Sequence, residues 1–180
     1  MHFRITHEFD ATPEEFWEVF FDEPFNVEQY KRIKVKERTM LSRKEDDKGI
    51  AFSVRILPER DLPSVVKKIV KGDLGYVEST VYTRATSSME IDIVPTLFAD
   101  RTKIHANFKV EPLPGGRCRR TFEGDLTVKF AIFGGAIERA IYDDMAKSYD
   151  VAAAVHGEWM ARLKAERAKA GGAAGPGGKG

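Results

Sequence analysis

The sequence lacks several features that mark common classes of protein. Its one cysteine, Cys118, has no second cysteine to pair with, so nothing points to an oxidising compartment. The formal net charge of +1 creates no overall field that would attract nucleic acid. No apolar run approaches the roughly 20 residues that a membrane-spanning helix needs. We therefore expect a globular chain without an internal disulfide and without a nucleic-acid partner.

The N-terminus also lacks the pattern of a secretory signal. Residues 1–4 lead directly into alternating polar and apolar residues, without a basic start followed by an apolar stretch. The default expectation is therefore a cytoplasmic location.

Motifs of the common catalytic and cofactor sites are missing as well. There is no Gly-x-Ser-x-Gly sequence, no phosphate-binding glycine loop and no Gly-x-Gly-x-x-Gly fingerprint. The histidines have no metal-type spacing such as His-x-x-x-His; they are His2, His7, His105 and His156. The sequence therefore predicts no motif-based catalytic residues, no cofactor and no metal.

What the sequence does contain is a series of short alternating segments, which are typical of half-buried β-strands. In residues 2–10, Phe3, Ile5 and His7 share one face with Phe9. Six further segments follow, at about residues 33–42, 50–56, 76–84, 87–94, 102–110 and 118–128. Consecutive strands joined by short turns predict antiparallel pairing.

Three of the four predicted helices come before or after the main series of strands. The first begins at Thr12, which can act as the cap, and Glu15 completes a capping box. A second short helical turn is predicted over residues 26–31. The longest helix begins near Gly134, ends near Ala168 and carries an apolar stripe on one face. The stripe consists of Ile137, Ile141, Met145, Ser148, Ala152, Val155, Trp159 and Leu163.

These elements predict one α+β domain over residues 1–168. A curved antiparallel sheet with one apolar face needs a cover, and the long helix is the obvious candidate. Residues 169–180 are rich in Gly and Ala and cannot bury enough apolar surface to offset chain entropy. We therefore expect a disordered tail there.

The order of one strand, two short helices, six strands and a long helix resembles the START-like superfamily, also called the Bet v 1-like or SRPBCC group. The segment from Phe9 to Trp17, with its capped Pro-Glu-Glu start and aromatic pair, is similar to the superfamily's common entry. The last two strands and the Gly134-Gly135 helix start are also similar. The resemblance covers about residues 1–165. It implies a bacterial branch of the superfamily and a helix-grip fold, in which a seven-stranded sheet wraps around the C-terminal helix.

A cavity between sheet and helix is the main functional feature that the resemblance implies. Ser148 and Ala152, at the centre of the helix stripe, are small and leave volume opposite a concave sheet. Alternatively, facing aromatic residues such as Phe108 and Phe122 fill the gap. The predicted ligand-binding residues are Phe52, Val54, Met89, Ile91, Ile104, Phe108, Phe122, Leu126, Met145, Ser148, Ala152, His7 and Arg120.

Three polar residues are candidates to bind the head group of such a ligand. His7 lies on the apolar face of the first strand, and His156 lies near the edge of the helix stripe. A histidine satisfied within the core is the commoner situation for both. Arg120 is the candidate to pair with an anionic head group if it points inward.

A short basic amphipathic helix is predicted between Asp61 and Gly72. Its apolar side is formed by Leu62, Val65, Val66 and Ile69, and its basic side by Lys67, Lys68 and Lys71. The resemblance places this segment at the mouth of the cavity. There it would close the cavity, contact an anionic membrane surface transiently, or do both at different stages.

The leading hypothesis is non-covalent binding of a lipid or another hydrophobic small molecule, with transfer between membranes as its narrower form. The superfamily also contains enzymes, so a second hypothesis is a polyketide cyclase-like enzyme that uses the same cavity. In that case His7, Tyr76, Tyr82 or Arg120 would supply protons or hydrogen bonds, and at least two polar groups must converge on the cavity. A third hypothesis is a protein-interaction module with a filled core and no ligand.

Overall fold

In the computed structural model, one strand, two short helices, six strands and a long helix follow one another in the predicted order. The structure describes residues 1–59, 74–131 and 133–172. In chain order the elements are β1 (His2–Phe9), α1 (Pro13–Phe20), α2 (Glu23–Arg32), β2 (Val35–Glu45), β3 (Gly49–Pro58), β4 (Tyr76–Thr83), a 3-10 turn (Arg84–Thr86), β5 (Ser88–Pro95), β6 (Thr102–Leu113), β7 (Arg117–Val128) and α3 (Gly134–Gly172).

The strands form one antiparallel sheet in the order β1-β7-β6-β5-β4-β3-β2. Strands β2 to β6 each pair with the next strand in sequence. Strand β1 pairs with β7 instead, and α1 and α2 lie between β1 and β2 in the chain. The predicted helix-grip fold is therefore confirmed.

The two short helices begin at side-chain caps. The Thr12 hydroxyl accepts from the Glu15 amide at 3.3 Å, and the Thr12 amide donates to the Glu15 carboxylate at 2.9 Å. These two bonds form the predicted capping box. Helix α2 begins at Glu23, earlier than predicted, because the Asp22 carboxylate accepts from the Phe25 amide at 3.2 Å and caps the helix.

Helix α3 packs against β1 and β7 of the sheet and against α1 and α2. It extends to Gly172, beyond the end predicted at Ala168. The remainder of the predicted tail, residues 173–180, lies outside the described residues, as does the predicted basic helix between Asp61 and Gly72. No helix within the described residues is long and apolar enough to cross a membrane.

An aromatic core fills the space under β1, β6 and β7. Phe16 of α1 lies 5.1 Å from Phe9 and 6.2 Å from Phe108, measured between ring centroids. Burial of each such ring contributes about 1.5–3 kcal/mol. Strands β6 and β7 also approach closely at Gly124. A Cβ added there would lie only 2.5 Å from the Cα of Ala106. This part of the molecule has little room for anything but its own side chains.

Candidate functional site

The covered face of the sheet has two chemically different parts. The apolar half comprises the inward-facing residues of β1, β6 and β7, nearly all of them hydrophobic. It is formed by Phe3, Ile5, Phe9, Ile104, Ala106, Phe108, Val110, Cys118, Phe122 and Leu126. The polar half comprises the covered face of β2, β3 and β4, where charged and hydroxyl groups point in the same direction as buried apolar residues.

Strand pairing shows which side chains of the polar half face inward. Glu78 lies directly opposite Val54 on β3, and Val54 is only 1% exposed. Glu78 is also two residues before the buried Thr80, and residues two apart share a face of a strand. Arg38 lies opposite the buried Ile56 in the same way. A carboxyl group and a guanidinium group therefore both stand on the covered face.

Two tyrosines from the helices complete what we call the polar cluster: Tyr30, Arg38, Glu78 and Tyr149. The Arg38 guanidinium lies over the Tyr30 ring, 4.9 Å from its centroid. Tyr149 of α3 stacks on Phe122 with centroids 4.4 Å apart, and it is electrostatically coupled to Glu78 and Tyr30. The cluster thus joins β2, β4, α2 and α3.

Burial dominates the acid–base properties of the polar cluster. It raises the pKa of Glu78 above the ordinary 4.5, against the opposing effects of a hydrogen bond from Thr80 and the charge of Arg38. It raises the pKa of Tyr30 to about 12 and that of Tyr149 well above 10.0. Both phenols therefore keep their protons, so each can donate as well as accept a hydrogen bond.

The side chains of the polar cluster are desolvated but remain partly exposed to solvent. Surrounding protein atoms are dense enough to shift the pKa values of Tyr30, Glu78 and Tyr149, yet all three side chains, and that of Arg38, remain only half-buried. Arg38 also makes no ion pair with Glu78 within 4.0 Å and influences it only through space. Among the described residues, the Arg38 Nε has no hydrogen-bond partner. The two charged groups therefore stand on the same face of the sheet without direct contact.

A separate polar network crosses the apolar half. Arg120 is 3% exposed, so it points inward as the sequence suggested. Its Nη2 donates to His7 Nδ1 at 2.8 Å and to the Tyr149 carbonyl at 3.0 Å. A guanidinium can only donate, so His7 carries its proton on Nε2 and donates it to the Asp150 carboxylate at 2.9 Å. The network ties β1, β7 and α3 together.

Burial also sets the charge states in this network. It lowers the pKa of Arg120 to about 10, and three rings surround the guanidinium, those of Phe9, Phe108 and Tyr149 at 5.1–5.7 Å. Burial and the neighbouring Arg120 charge lower the pKa of His7 below 6.5, which keeps the imidazole neutral. His7 and Arg120 thus use each other and the helix backbone as partners.

His156 is a core residue in the structure. It is 1% exposed and stacks on Phe16 with ring centroids 4.1 Å apart. Burial, with a smaller effect of Arg120, lowers its pKa to about 3. Neither ring nitrogen forms a hydrogen bond of acceptable geometry within the described residues, although the Phe16 backbone is near enough to oppose the pKa shift.

The predicted ligand-binding residues share the covered face but do not meet at one place. Most of them are buried in the core, namely Val54, Met89, Ile91, Ile104, Phe108, Phe122, Leu126 and Ala152. Phe52 and Met145 remain half-buried. Ser148 is half-exposed, and its hydroxyl donates to the Asp144 carbonyl at 2.8 Å. Tyr149 contacts the sheet in its place. Tyr149 lies four residues after Met145 and Ser148 three, and the inward-facing side of α3 continues at the four-residue spacing.

Of the residues proposed for an enzyme, two lie together and two lie elsewhere. His7 and Arg120 bind each other, whereas Tyr82 packs on Trp17 in the core at 4.6 Å between ring centroids. Tyr76 is half-buried and interacts electrostatically with Tyr149.

Sequence reasoning missed every member of the polar cluster. The available signal was the alternation within β4, where Tyr76, Glu78, Thr80 and Tyr82 share one face. The opposite face of β4 is more apolar, so hydrophobicity alone predicts that it faces the core. In the structure it faces outward, and its residue Val81 is 52% exposed. Register, which a single strand does not reveal, decides between the two.

An external groove lies between α2 and α3, away from the sheet. It has a volume of about 380 Å³ and is lined by Pro24, Val27, Glu28, Val155, Glu158, Trp159 and Arg162. The Arg162 guanidinium covers the Trp159 ring at 3.9 Å. Within the described ranges no group of three or more His, Cys, Asp or Glu residues is placed to hold a metal ion.

Solved structures with the same architecture are found at low sequence identity. The Zhui aromatase/cyclase from a Streptomyces species is 12% identical, with a TM-score of 0.66 over 90% of this chain and 94% of that one. The protein TTHA0849 from Thermus thermophilus is 12% identical, with a TM-score of 0.65 over 91% and 99%. A START superfamily protein from Mycobacterium smegmatis is 14% identical, with a TM-score of 0.55 over 90% and 98%. These similarities confirm the START-like fold.

The sequence comparisons are more specific about family than about activity. No curated protein matches the sequence. The family model described as "Protein of unknown function (DUF2505)" matches residues 4–160, which is most of the chain. The chain therefore belongs to the DUF2505 family and has the fold of the START-like superfamily.

Proposed function

We propose that the chain binds a hydrophobic small molecule, without covalent attachment, between the polar half of the sheet and α3. The observation that carries this proposal is the combination of desolvation and partial exposure in Tyr30, Glu78 and Tyr149. Side chains on an outer surface are exposed but hydrated, and side chains in a filled core are desolvated but inaccessible. A recess enclosed by protein gives both properties at once.

The energetics of such a site favour an amphipathic ligand. Apolar surface removed from water contributes about 25 cal/mol per Å², so roughly 200 Å² of ligand surface contributes about 5 kcal/mol. Phe52 and Met145 are half-buried hydrophobic residues that can contact such a surface. The buried polar groups then select the ligand's polar end, since leaving them unpaired costs free energy.

Transfer of a lipid between membranes is a narrower form of this proposal. Its support is limited to the sequence, which predicts a basic amphipathic segment between Asp61 and Gly72. The binding proposal does not depend on it.

An enzyme resembling polyketide cyclases is the second candidate. The observation that favours it is the raised pKa of Glu78, a carboxyl group that can exchange protons closer to neutral pH, beside the phenol of Tyr149. The presence of an aromatase/cyclase among the proteins of this fold is compatible with this role, but fold alone does not select it.

The test of binding uses native mass spectrometry of freshly purified full-length protein, followed by organic extraction. We expect a co-purified hydrophobic molecule in substoichiometric or stoichiometric amount. After delipidation, a titration with the neutral fluorophore N-phenyl-1-naphthylamine should saturate at one molecule per chain.

A pair of matched variants locates the site within the protein. Glu78→Phe fills the covered face of β4 and should reduce fluorophore affinity at least tenfold. Val81→Phe places the same ring on the outer face of the same strand, where Val81 is 52% exposed, and should leave the affinity unchanged. No co-purified molecule together with no saturable fluorophore binding would refute the proposal and favour a ligand-free interaction module.

A further inference from the structure

We propose that the polar cluster recognises a neutral hydroxyl group of the ligand, a phenol or an alcohol, in preference to a carboxylate or an amine. The inference rests on the proposed function and specifies the chemistry of its polar end. It is carried by one arrangement: Arg38 of β2 and Glu78 of β4 stand on the same covered face and form no ion pair with each other within 4.0 Å.

A hydroxyl group can serve both kinds of side chain because it both donates and accepts a hydrogen bond. Its proton can be donated to the Glu78 carboxylate, which receives only a long hydrogen bond of 3.4 Å from Thr80. Its oxygen can accept from the Arg38 guanidinium or from the Tyr149 phenol. One neutral group would thus satisfy both sides of the cluster.

A carboxylate fits this space less well. It would accept from Arg38 and the tyrosines, but it would also stand beside Glu78 in a desolvated environment. Two carboxyl groups there cannot both be charged at low cost, so one of them must take up a proton. The cluster therefore penalises an acidic ligand.

An amine meets the opposite obstacle. An ammonium group would pair with Glu78, but it would also place a second positive charge near the Arg38 guanidinium, which stands on the same covered face. The cluster therefore penalises a cationic ligand as well. Rejection of both charges leaves a neutral donor–acceptor group as the best match.

Arg120 does not provide an alternative site for an anionic head group. Its Nη2 already donates to His7 and to the Tyr149 carbonyl, and three aromatic rings surround the guanidinium. An anion would have to displace these partners. Arg38 is the half-buried guanidinium that faces the ligand in this proposal.

The experiment compares three probes that share a ten-carbon chain: 1-decanol, decanoate and decylammonium. Each competes with N-phenyl-1-naphthylamine for the delipidated full chain at pH 7 and below its aggregation concentration. We expect 1-decanol to bind at least tenfold more tightly than either charged probe. Equal affinities within threefold, or tightest binding of decanoate or decylammonium, would overturn the inference while leaving the proposed function intact.

Two variants should change the selectivity in opposite directions. Glu78→Gln removes the negative charge and should strengthen decanoate binding at least tenfold relative to 1-decanol. Arg38→Met keeps much of the side-chain volume and should strengthen decylammonium binding in the same manner. Glu90→Gln, on the exposed outer face of β5, is the matched control and should alter no ratio.

The outcomes separate the two proposals. Thermal unfolding monitored by circular dichroism verifies that each variant is folded before its ratios are compared. Unchanged selectivity in folded Glu78→Gln and folded Arg38→Met proteins would overturn the role of the polar cluster. Failure of the wild-type chain to bind the fluorophore saturably would overturn both the proposed function and this inference.

Discussion

The two halves of the covered face differ in how their inward-facing side chains are packed and paired. In the apolar half, rings from β1, β6, β7 and α1 interlock. The guanidinium of Arg120 has two protein partners at Nη2, although its Nε has no hydrogen-bond partner among the described residues. In the polar half, Arg38 and Glu78 are half-buried and do not contact each other. We interpret the first half as a scaffold and the second as the proposed binding surface.

The difference shows where stability and function are separated in this fold. Desolvation of a carboxyl group costs free energy, and Glu78 receives only a long hydrogen bond of 3.4 Å from Thr80, so a chain under selection for stability alone gains little from it. Helix α3 contacts β1 and β7, on the apolar side. We expect mutations in the two halves to have opposite consequences.

The largest effect is expected at the Arg120 network. Arg120→Ala removes two hydrogen bonds and a side chain packed among aromatic rings, so we expect a loss of about 3 kcal/mol in the free energy of unfolding. Urea denaturation measures it. Arg119→Ala, at an exposed ion pair with Glu8, should change little, and a comparable loss there would refute the structural role of Arg120.

The next prediction compares the effect on stability of introducing a leucine in each half. Ala106→Leu should lower the free energy of unfolding by about 1–3 kcal/mol, because Ala106 is fully buried against the backbone of Gly124. Glu78→Leu, in the polar half, should cost no stability, since it replaces a buried carboxyl group with an apolar one. If Glu78→Leu were the more destabilising substitution, the two halves would not differ as described.

The response to acid should depend on the apolar half. His156 binds a proton with a pKa of about 3 when folded, against 6.5 ordinarily, so the unfolded chain gains protons first as pH falls. Stability conferred by the neutral imidazole is full above pH 6.5 and is lost toward pH 3, with a slope of up to about 1.4 kcal/mol per pH unit.

The variant His156→Leu should remove this part of the acid sensitivity. Its denaturation midpoint in urea, measured between pH 7 and pH 4, should decline less steeply than that of the wild type. Equal slopes in the two proteins would show that His156 does not have a lowered pKa.

The smallest expected effect is the pH response of the polar half. Burial raises the pKa of Glu78, so its protonated form stabilises the fold below the ordinary value of 4.5, and that contribution is lost as pH rises through the folded pKa. Glu78→Gln should therefore gain stability relative to the wild type as pH rises above 4.5. A constant difference between pH 4 and pH 8 would contradict a raised pKa.

The sequence was sufficient for the fold because periodicity and capping are local. The alternation of Thr102 to Val110 and the capping box at Thr12 needed no tertiary information, and both are present in the structure. The site was harder to predict. Ser148 and Tyr149 are neighbours on the helix, and which of them meets the sheet depends on how α3 is rotated.

Cross-strand pairing explains why the polar cluster could not be predicted from the sequence. Arg38 and Glu78 are 40 positions apart and on strands separated by β3, so neither residue predicts the other. Their inward direction follows from pairing with Ile56 and Val54. The inward direction of Arg120 could be predicted, because it shares one face of its strand with Cys118 and Phe122. Its hydrogen-bond partners could not be predicted.

A crystal structure of the chain bound to N-phenyl-1-naphthylamine would test the central claim most directly. The account predicts that the fluorophore lies between β3, β4 and α3, in contact with Phe52 and Tyr149. A fluorophore seated instead in the external groove beside Trp159, with side chains closing the space between Glu78 and Tyr149, would contradict it.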